Sequence, residues 1–281
     1  MQSYQSVQKG INLFTDVSFP TSDALFWGDM TFERDSNVAA RDYQVEWYRL
    51  SEKYPDHTLW GPNDVQSSDI AQGDIGNCWI ISALCAMAEY PERIHNMFYN
   101  TRVNQKGMYA IRLYPLGVPM TLTIDDYMPF NTTTNDLAFA EVAADNALWG
   151  PLLEKGVAKL MGNYWHMDQG INSGGISLLN GGPHYYLSHY KTLTQSKKNE
   201  IWDEIKRMNS INYMITAKSS YSSGLSLVPG HSYVVIDLLE LDDGERLLFL
   251  RNPWGSDNFD GPWSDFDALW TNAMRKQRGI P

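Results

Sequence analysis

Cys78 is the residue of this sequence whose surroundings most favour nucleophilic chemistry. It follows the turn-rich stretch 72–77 and opens an apolar segment with the pattern of a helix. Backbone N–H groups at a helix N-terminus are unpaired and carry the positive end of the helix dipole, so they stabilise a thiolate. A thiol with an ordinary pKa of about 8.5 is only a few per cent ionised at pH 7, and a lower pKa raises that fraction. The alternative is that Cys78 is a small buried apolar residue, as most free cysteines are.

His231 is the candidate base, because a cysteine nucleophile needs an imidazole whose tautomer is fixed by a third group. His231 precedes an apolar strand, and Asn252 follows another one. Between them, Asp242-Asp243-Gly244 predicts a hairpin turn. If the numbers of paired residues sum to 485, Asn252 is a diagonal neighbour of His231 on the same face. If they sum to 486, Asn252 points to the other face unless a bulge intervenes.

Gln72 and Trp254 complete the predicted site. Gln72 lies six positions before Cys78, so its side-chain amide could lie beside the backbone N–H of Cys78. Together these two donors would bind the oxyanion of a tetrahedral intermediate, and removal of one such donor typically costs about 10²–10³-fold in rate. In the first register Trp254 lies opposite His231, where its indole would exclude water. Taken separately, these residues have ordinary alternatives as turn, cap and surface residues.

Cys85 is the other of the two cysteines, and both are predicted to be reduced. It lies seven positions after Cys78 in the same predicted helix, which separates the two residues by about 10 Å. A disulfide requires Cα atoms within about 7 Å, so the two cysteines cannot pair with each other. Unpaired cysteines favour a reducing compartment, and we therefore expect a cytoplasmic location. Cys85, two turns deeper in the helix, is predicted to be a core residue.

The elements that must position these residues predict an α+β fold. Helices are predicted at 78–90, 147–161 and 198–208, and strands at 108–113, 120–124, 212–217, 232–239 and 246–251. The glycine-rich stretch 174–182 is the predicted domain boundary. A helical N-terminal subdomain, 1–182, would carry Cys78, and an antiparallel β-rich C-terminal subdomain, 183–281, would carry His231 and Asn252. The active-site cleft would lie between them.

Composition and charge exclude several classes of function. The chain has 281 residues with 22 Lys and Arg against 33 Asp and Glu, a net charge of −11. Nucleic acid and anionic membranes require clustered positive charge, so neither is an expected partner. Apolar runs are interrupted well before the length that spans a bilayer, so we expect no stable membrane insertion. The first residues lack the basic start and apolar core of a secretory signal.

Three motifs of the chain resemble those of the calpain-type cysteine proteases, whose catalytic cores are similar to a rearranged papain. Gln72-Gly73-Asp74-Ile75-Gly76-Asn77-Cys78-Trp79 resembles the nucleophile motif. Gly230-His231-Ser232-Tyr233 resembles the histidine motif, and Arg251-Asn252-Pro253-Trp254-Gly255 resembles the asparagine motif. Weaker matches lie at 14–20, 124–130, 152–160 and 261–265, in the order of the family, so the resemblance covers nearly the whole chain.

The resemblance implies a papain-like endopeptidase of two subdomains. Cys78 would be the nucleophile, and His231 the general acid and base. Asn252 would orient the imidazole, and Gln72 would donate to the oxyanion. Attack of the thiolate on a peptide carbonyl would form an acyl-enzyme, which water then hydrolyses. The chemistry requires no cofactor, and the implied partners are protein or peptide substrates; the sequence identifies no regulatory subunit or inhibitor.

The resemblance also implies calcium, because in this family calcium bound to each subdomain closes the cleft and aligns the catalytic residues. Asp69 matches a ligand of the first site, and Asp265 matches a ligand of the second. Trp165 stands where the first site has another acidic ligand, and an indole cannot coordinate a hard cation. Asn258 stands where the second site tends to have Glu. The alternative is that Asp69 and Asp265 are ordinary cap or turn carboxylates.

The tail 275–281 differs from the family pattern, in which the core continues into a further strand with the remaining calcium ligands. We therefore expect a fragment, a truncated core or a minimal member of the family.

Rival chemistries lack their motifs. The six histidines include no His-Glu-x-x-His and no pair at helical i,i+4 spacing, and two cysteines cannot form a zinc cage. The glycine-rich stretch lacks both phosphate-binding fingerprints. Transglutaminase-like acyl transfer also uses Cys and His, but its third group is usually Asp rather than Asn252. The remaining alternative is an inactive, scaffold-like relative that binds protein partners through the cleft without cutting them, which the changed calcium ligands keep open.

Overall fold

The α+β class predicted from the sequence is confirmed, and the sheets are antiparallel. A computed structural model describes residues 13–22, 45–142, 144–187, 192–220, 226–257 and 259–278. Within these ranges the chain forms seven α-helices and nine strands. The strands are arranged as three two-stranded sheets, β1–β5, β2–β6 and β3–β4, and one three-stranded sheet, β7–β8–β9.

The helices are α1 (Leu50–Lys53), α2 (Cys78–Ala88), α3 (Pro91–His95), α4 (Trp149–Met161), α5 (Asn172–Asn180), α6 (Gln195–Ser210) and α7 (Asn272–Arg278). The strands are β1 (Val45–Arg49), β2 (Ile70–Ala71), β3 (Met108–Leu113), β4 (Met120–Asp125), β5 (Tyr127–Asn131), β6 (Glu141–Val142), β7 (Thr216–Lys218), β8 (Ser232–Glu240) and β9 (Arg246–Arg251). Within the described residues, the part before residue 183 therefore contains six strands besides its five helices, more strands than the sequence predicted there. Strands β2 and β6, of two residues each, are too short to give a sequence pattern.

Helix α2 lies at the centre of the core. Its sequence has no charged residue, and every residue from Trp79 to Ala88 is buried, as expected for a helix that is apolar on all sides. Cys78, at its first position, is partly exposed. The helix ends two residues earlier than predicted, and Pro91 occupies the first turn of α3, where a missing N–H group has no cost. The nucleophile candidate thus stands at the one end of a buried helix that reaches the surface.

The glycine-rich stretch 174–182 is largely helical and is not an open linker. Most of it belongs to α5, which ends at Gly181 in the left-handed conformation with φ of +72°. A Cβ atom on Gly175 would lie 2.4 Å from the carbonyl oxygen of Trp79, so only glycine lets α5 approach the backbone of α2 this closely. The glycines serve helix packing, and a boundary at 182 would follow α5.

A β-bulge determines the register of the hairpin between β8 and β9. From Glu240↔Arg246 to Asp237↔Phe249 the paired numbers sum to 486, and at Val235↔Leu250 and Val234↔Arg251 they sum to 485. Ile236 is the extra residue between the two registers. The turn end of the hairpin therefore has one of the two predicted registers, and the end that carries His231 and Asn252 has the other.

No helix in the described ranges combines the length and the apolar content needed to cross a membrane.

A buried ion pair joins α4 to β4. The side chain of Lys155 is 0% exposed and donates to Asp125 and to the carbonyl oxygen of Tyr127. Asp125 also accepts from the backbone N–H of Asp16, at 2.7 Å, which ties the segment 13–22 to the same carboxylate. Burial lowers the pKa of the Lys155 ammonium, and the neighbouring carboxylate of Asp125 opposes that change. The two opposite charges compensate each other within the core, so removal of one partner leaves the other charge buried without a counter-charge.

Replacement of Lys155 by Met should lower the free energy of unfolding by about 3–5 kcal/mol, because Asp125 then remains buried without its cation. Urea unfolding followed by circular dichroism measures the change. The matched control is Lys197→Met, which removes an exposed ion pair with Glu200 and should cost less than about 1 kcal/mol. Equal losses in the two variants would contradict a special role for the buried pair.

Candidate active site

His231 and Asn252 form the hydrogen bond that the sequence predicted. His231 Nε2 and Asn252 Oδ1 are 2.9 Å apart, and both residues are buried. An amide oxygen can only accept, so Nε2 carries the proton and Nδ1 is the nitrogen that remains to accept one. Asn252 Oδ1 also accepts from the backbone N–H of Trp254, at 3.1 Å, which fixes the orientation of the amide.

Two aromatic rings hold the imidazole of His231 in place. The ring of Trp254 lies 4.6 Å from it, centroid to centroid, and the ring of Tyr233 lies 5.1 Å away in an edge-to-face arrangement. The Trp254 side chain is itself exposed. It therefore covers the hydrogen-bonded pair on the solvent side, as expected for the first of the two predicted registers.

Cys78 approaches His231 and Ser232 across the fold. Its Sγ lies 3.5 Å from Ser232 Oγ, although the two residues are 154 positions apart in the sequence. Burial raises the pKa of the Cys78 thiol, but hydrogen bonds with His231 and Ser232 together outweigh it, so the pKa lies below its ordinary value. The Asn77 side chain does not cap α2, and the backbone N–H of Ile80 donates to Asn77 O at 2.8 Å, so the first-turn N–H groups nearest the sulfur are those of Cys78 and Trp79.

Gln72 lies on the turn that leads into α2 and contacts the asparagine motif. Its side-chain Nε2 donates to Ile75 O at 2.7 Å, and its backbone N–H donates to Pro253 O at 2.8 Å. A side-chain amide has two hydrogens, so one hydrogen of Nε2 remains for an oxyanion. The predicted role of Gln72 as an oxyanion donor stays a prediction.

The turn 72–77 is held by residues that sequence reasoning missed. Asp168 Oδ1 accepts from Gly76 N at 2.9 Å, and Glu154 Oε1 accepts from Asn77 Nδ2 at 2.7 Å. Glu154 also accepts from Ala140 N at 3.0 Å and is only 2% exposed. Burial raises the pKa of Glu154 to about 7. A charged residue on the apolar face of the predicted helix 147–161 was the available signal for Glu154, whereas Asp168 gave none.

Cys85 is buried in the core and chemically distinct from Cys78. Both cysteines are free, as predicted. The side chain of Cys85 is fully enclosed, and burial raises the pKa of its thiol to about 11. At neutral pH it is therefore a protonated core residue.

The residues predicted to bind calcium do not assemble a site around Asp69. Its Oδ2 accepts from Trp149 Nε1 at 2.9 Å and from Gln66 N at 2.8 Å, and the residue is buried. Asp69 thereby closes the short 3-10 turn Ser67–Asp69, which fits the cap alternative. Asp265 is exposed, and Asn258 lies outside the described residues. In the part of the chain that the structure describes, no group of three or more His, Cys, Asp or Glu could hold a metal ion.

Comparison with known proteins identifies similar sequences along almost the whole chain. A sequence model of the family described as "Calpain family cysteine protease" matches residues 14–279. A protein from Oryza sativa subsp. japonica named calpain-type cysteine protease ADL1 is 29% identical over 290 residues, which cover 98% of this chain and 13% of that protein.

Animal proteins match at similar identity. Calpain-5 from Mus musculus is 25% identical over 298 residues, 95% of this chain and 44% of that protein. The calpain-1 catalytic subunit from Gallus gallus is 26% identical over 279 residues, 95% of this chain and 38% of that protein. The chain therefore spans less than half the length of each of these relatives.

The buried carboxyl of Glu154 should make stability depend on pH. Its pKa is about 7 in the folded state against an ordinary value of 4.5. Between these values the unfolded chain has released the proton that the folded chain retains, so the free energy of unfolding falls as pH rises. The fall amounts to about 3 kcal/mol.

In Glu154→Gln this contribution is absent, so between pH 4.5 and 7 the free energy of unfolding should fall by about 3 kcal/mol less than in the wild type. Urea unfolding at several pH values measures how the free energy of unfolding depends on pH in each protein. Any effect of the substitution that does not depend on pH cancels when the two slopes are compared. Glu200→Gln, at an exposed position, is the control and should keep the wild-type slope. A wild-type slope in Glu154→Gln would contradict the assignment.

Proposed function

The chain belongs to the calpain family of cysteine proteases, and on that basis we propose that it is an endopeptidase that cleaves peptide bonds of protein substrates through Cys78. The observation that carries the proposal is the meeting of a partly exposed sulfur with a buried imidazole whose other nitrogen is already bonded to an amide, at 2.9 Å. A structural cysteine needs no such arrangement.

His231 exchanges protons with Cys78 through Nδ1. With Nε2–H donated to Asn252 Oδ1, Nδ1 is the basic nitrogen, and it takes the thiol proton to give a thiolate and an imidazolium. The sulfur then attacks the carbonyl carbon of the scissile peptide, and the carbonyl oxygen becomes an oxyanion. Asn252 is neutral, so it orients the ring without adding a negative charge beside the thiolate.

The oxyanion is bound by the backbone N–H of Cys78 and by the unused hydrogen on Gln72 Nε2. The intermediate collapses when the imidazolium donates its Nδ1 proton to the leaving nitrogen, which departs as an amine and leaves a thioester on Cys78. Water then attacks the thioester while Nδ1 takes its proton. Release of the carboxylic acid product restores the thiol–imidazole pair.

The site is proposed to lie in a papain-like cleft between two subdomains. The first, 1–182, supplies Cys78 on α2, and the second, 183–281, supplies His231 and Asn252 at the ends of β8 and β9. Helix α2 of the first subdomain packs on β8 of the second. In this proposal the catalytic groups meet when the two subdomains are aligned.

Location, partners and calcium follow from weaker observations. Free cysteines fit a reducing cytoplasm, and the family supports protein substrates. The activity, substrates and partners of the whole protein are proposals, because the chain spans only 13–44% of the relatives described above. We derive no step through calcium, since Asp69 already bonds Trp149 and Gln66.

Iodoacetamide should alkylate Cys78 at least about 100-fold faster than Cys85 at pH 7. The thiol pKa of Cys78 is lowered and its side chain is reachable, whereas that of Cys85 is raised to about 11 and its side chain is enclosed. Mass spectrometry of the labelled peptides, with and without millimolar calcium, gives the two rates. Slow and equal labelling of both cysteines under each condition would instead support the inactive, protein-binding relative.

Cys78→Ala should reduce cleavage of an unfolded protein substrate by about 10⁴-fold or more, because it removes the nucleophile and leaves the other groups in place. Cys85→Ala is the matched control and should keep cleavage within a few-fold of the wild type. Both variants should show the wild-type circular dichroism spectrum. Retained cleavage in Cys78→Ala together with loss in Cys85→Ala would overturn the assignment.

A further inference from the structure

The hydroxyl of Ser232 lies between the Cys78 sulfur and the side chain of Asn172. Ser232 Oγ is 3.5 Å from Cys78 Sγ and 2.5 Å from Asn172 Oδ1. Ser232 is 0% exposed and Asn172 is 9% exposed, so water has little access to either side chain. Neither Ser232 nor Asn172 has a part in the proton transfers described above.

A serine hydroxyl has one proton, and here two atoms compete for it. An amide oxygen can only accept, so the short contact between Ser232 and Asn172 Oδ1 requires the hydroxyl proton to lie between them. Ser232 then presents lone pairs to the sulfur. A thiol can donate its S–H to these lone pairs, whereas the hydroxyl of Ser232 stabilises a thiolate only when its proton turns towards the sulfur.

We propose that Asn172 and the Cys78 thiolate compete for the single hydroxyl proton of Ser232, so that Asn172 is a positioning residue that sets how readily the sulfur reacts. The inference rests on the proposed role of Cys78 as the nucleophile. When the proton turns to the sulfur, Asn172 Oδ1 loses its partner in a buried environment, and that loss opposes formation of the thiolate.

The position of Asn172 in the fold makes the competition sensitive to packing. Asn172 is the first residue of α5, and its Nδ2 donates to Ala217 O in β7 at 3.4 Å. Ser232 is the first residue of β8, and it pairs with Lys218 of β7. The amide that competes with the sulfur is therefore held by the helix on one side and the three-stranded sheet on the other.

Among the residues that the structure describes, few charged groups face the Cys78 sulfur. His231 is the titratable side chain that faces it. Helices α2 and α5 contain no charged residue. Lys218 in β7 is exposed, and the acidic residues of β8, Asp237 and Glu240, lie towards the turn end of the hairpin. A change at Asn172 therefore acts on the sulfur through Ser232 and not through a neighbouring charge.

The test is a double-mutant cycle on the rate of alkylation of Cys78 by iodoacetamide, measured from pH 4 to 9 in the Cys85→Ala background. Asn172→Leu frees the Ser232 proton, so alkylation on the acidic limb of the profile should become about tenfold faster and the midpoint should move to lower pH. In a Ser232→Ala background, Asn172→Leu should change neither the rate nor the midpoint. Equal effects in the two backgrounds overturn the proposal.

Two further variants complete the experiment. Ser173→Ala, on the same turn of α5 and bonded to Tyr186, is the matched control and should leave the profile unchanged. If Asn172→Leu does not fold, Asn172→Asp replaces it; the carboxylate binds the Ser232 proton more strongly, so it should slow alkylation more with Ser232 present than in the Ser232→Ala background. Equal slowing in both overturns the proposal. Alkylation requires no substrate cleavage, so loss of proteolysis with an intact cycle would count against the proposed function alone.

Discussion

The bulge at Ile236 is the constraint on which the arrangement of the site depends. Side chains alternate between the two faces of a strand, so a hairpin that kept the register of its turn end, in which paired residue numbers sum to 486, would place His231 and Asn252 on opposite faces. One extra residue in β8 changes the sum of the paired residue numbers from 486 to 485. The imidazole of His231 and the amide of Asn252 thereby come together at 2.9 Å. The bulge leaves one residue of β8 unpaired in the hydrogen-bond ladder and aligns His231 with Asn252.

The other half of the site is positioned by rigidity rather than by register. Cys78 is fixed because the rest of α2 is buried on every side, by α5 through the close approach at Gly175 and by the neighbouring core elements. The turn in front of it is held by Asp168 and by Glu154, which itself lies on α4. A shift of the Cys78 backbone would therefore require the movement of a whole packed helix.

Much of this could be predicted from the sequence, and the failures have identifiable physical causes. The apolar runs at β3, β4, β8 and β9 identified these strands, and the motifs around Cys78, His231 and Asn252 resembled those of the family to which the chain belongs. The register could not be chosen, because a bulge depends on the packing of both faces of the sheet. The stretch 174–182 was predicted to be a domain boundary from its glycines, and its helical structure gave no signal there, since glycine permits close helix packing as well as loops. The contact between Ser232 and Asn172 joins residues 60 positions apart and gave no local signal.

The hydrogen bond from the backbone N–H of Gln72 to Pro253 O joins the turn before Cys78 directly to the loop that carries Asn252. Any separation of these two loops must break this hydrogen bond, whereas local fluctuations elsewhere in the protein leave it intact. Exchange of this single amide hydrogen with deuterated solvent therefore reports how often the two loops separate in the resting protein. One backbone position thus measures the rate of the opening that the proposed endopeptidase would need in order to bind a polypeptide chain.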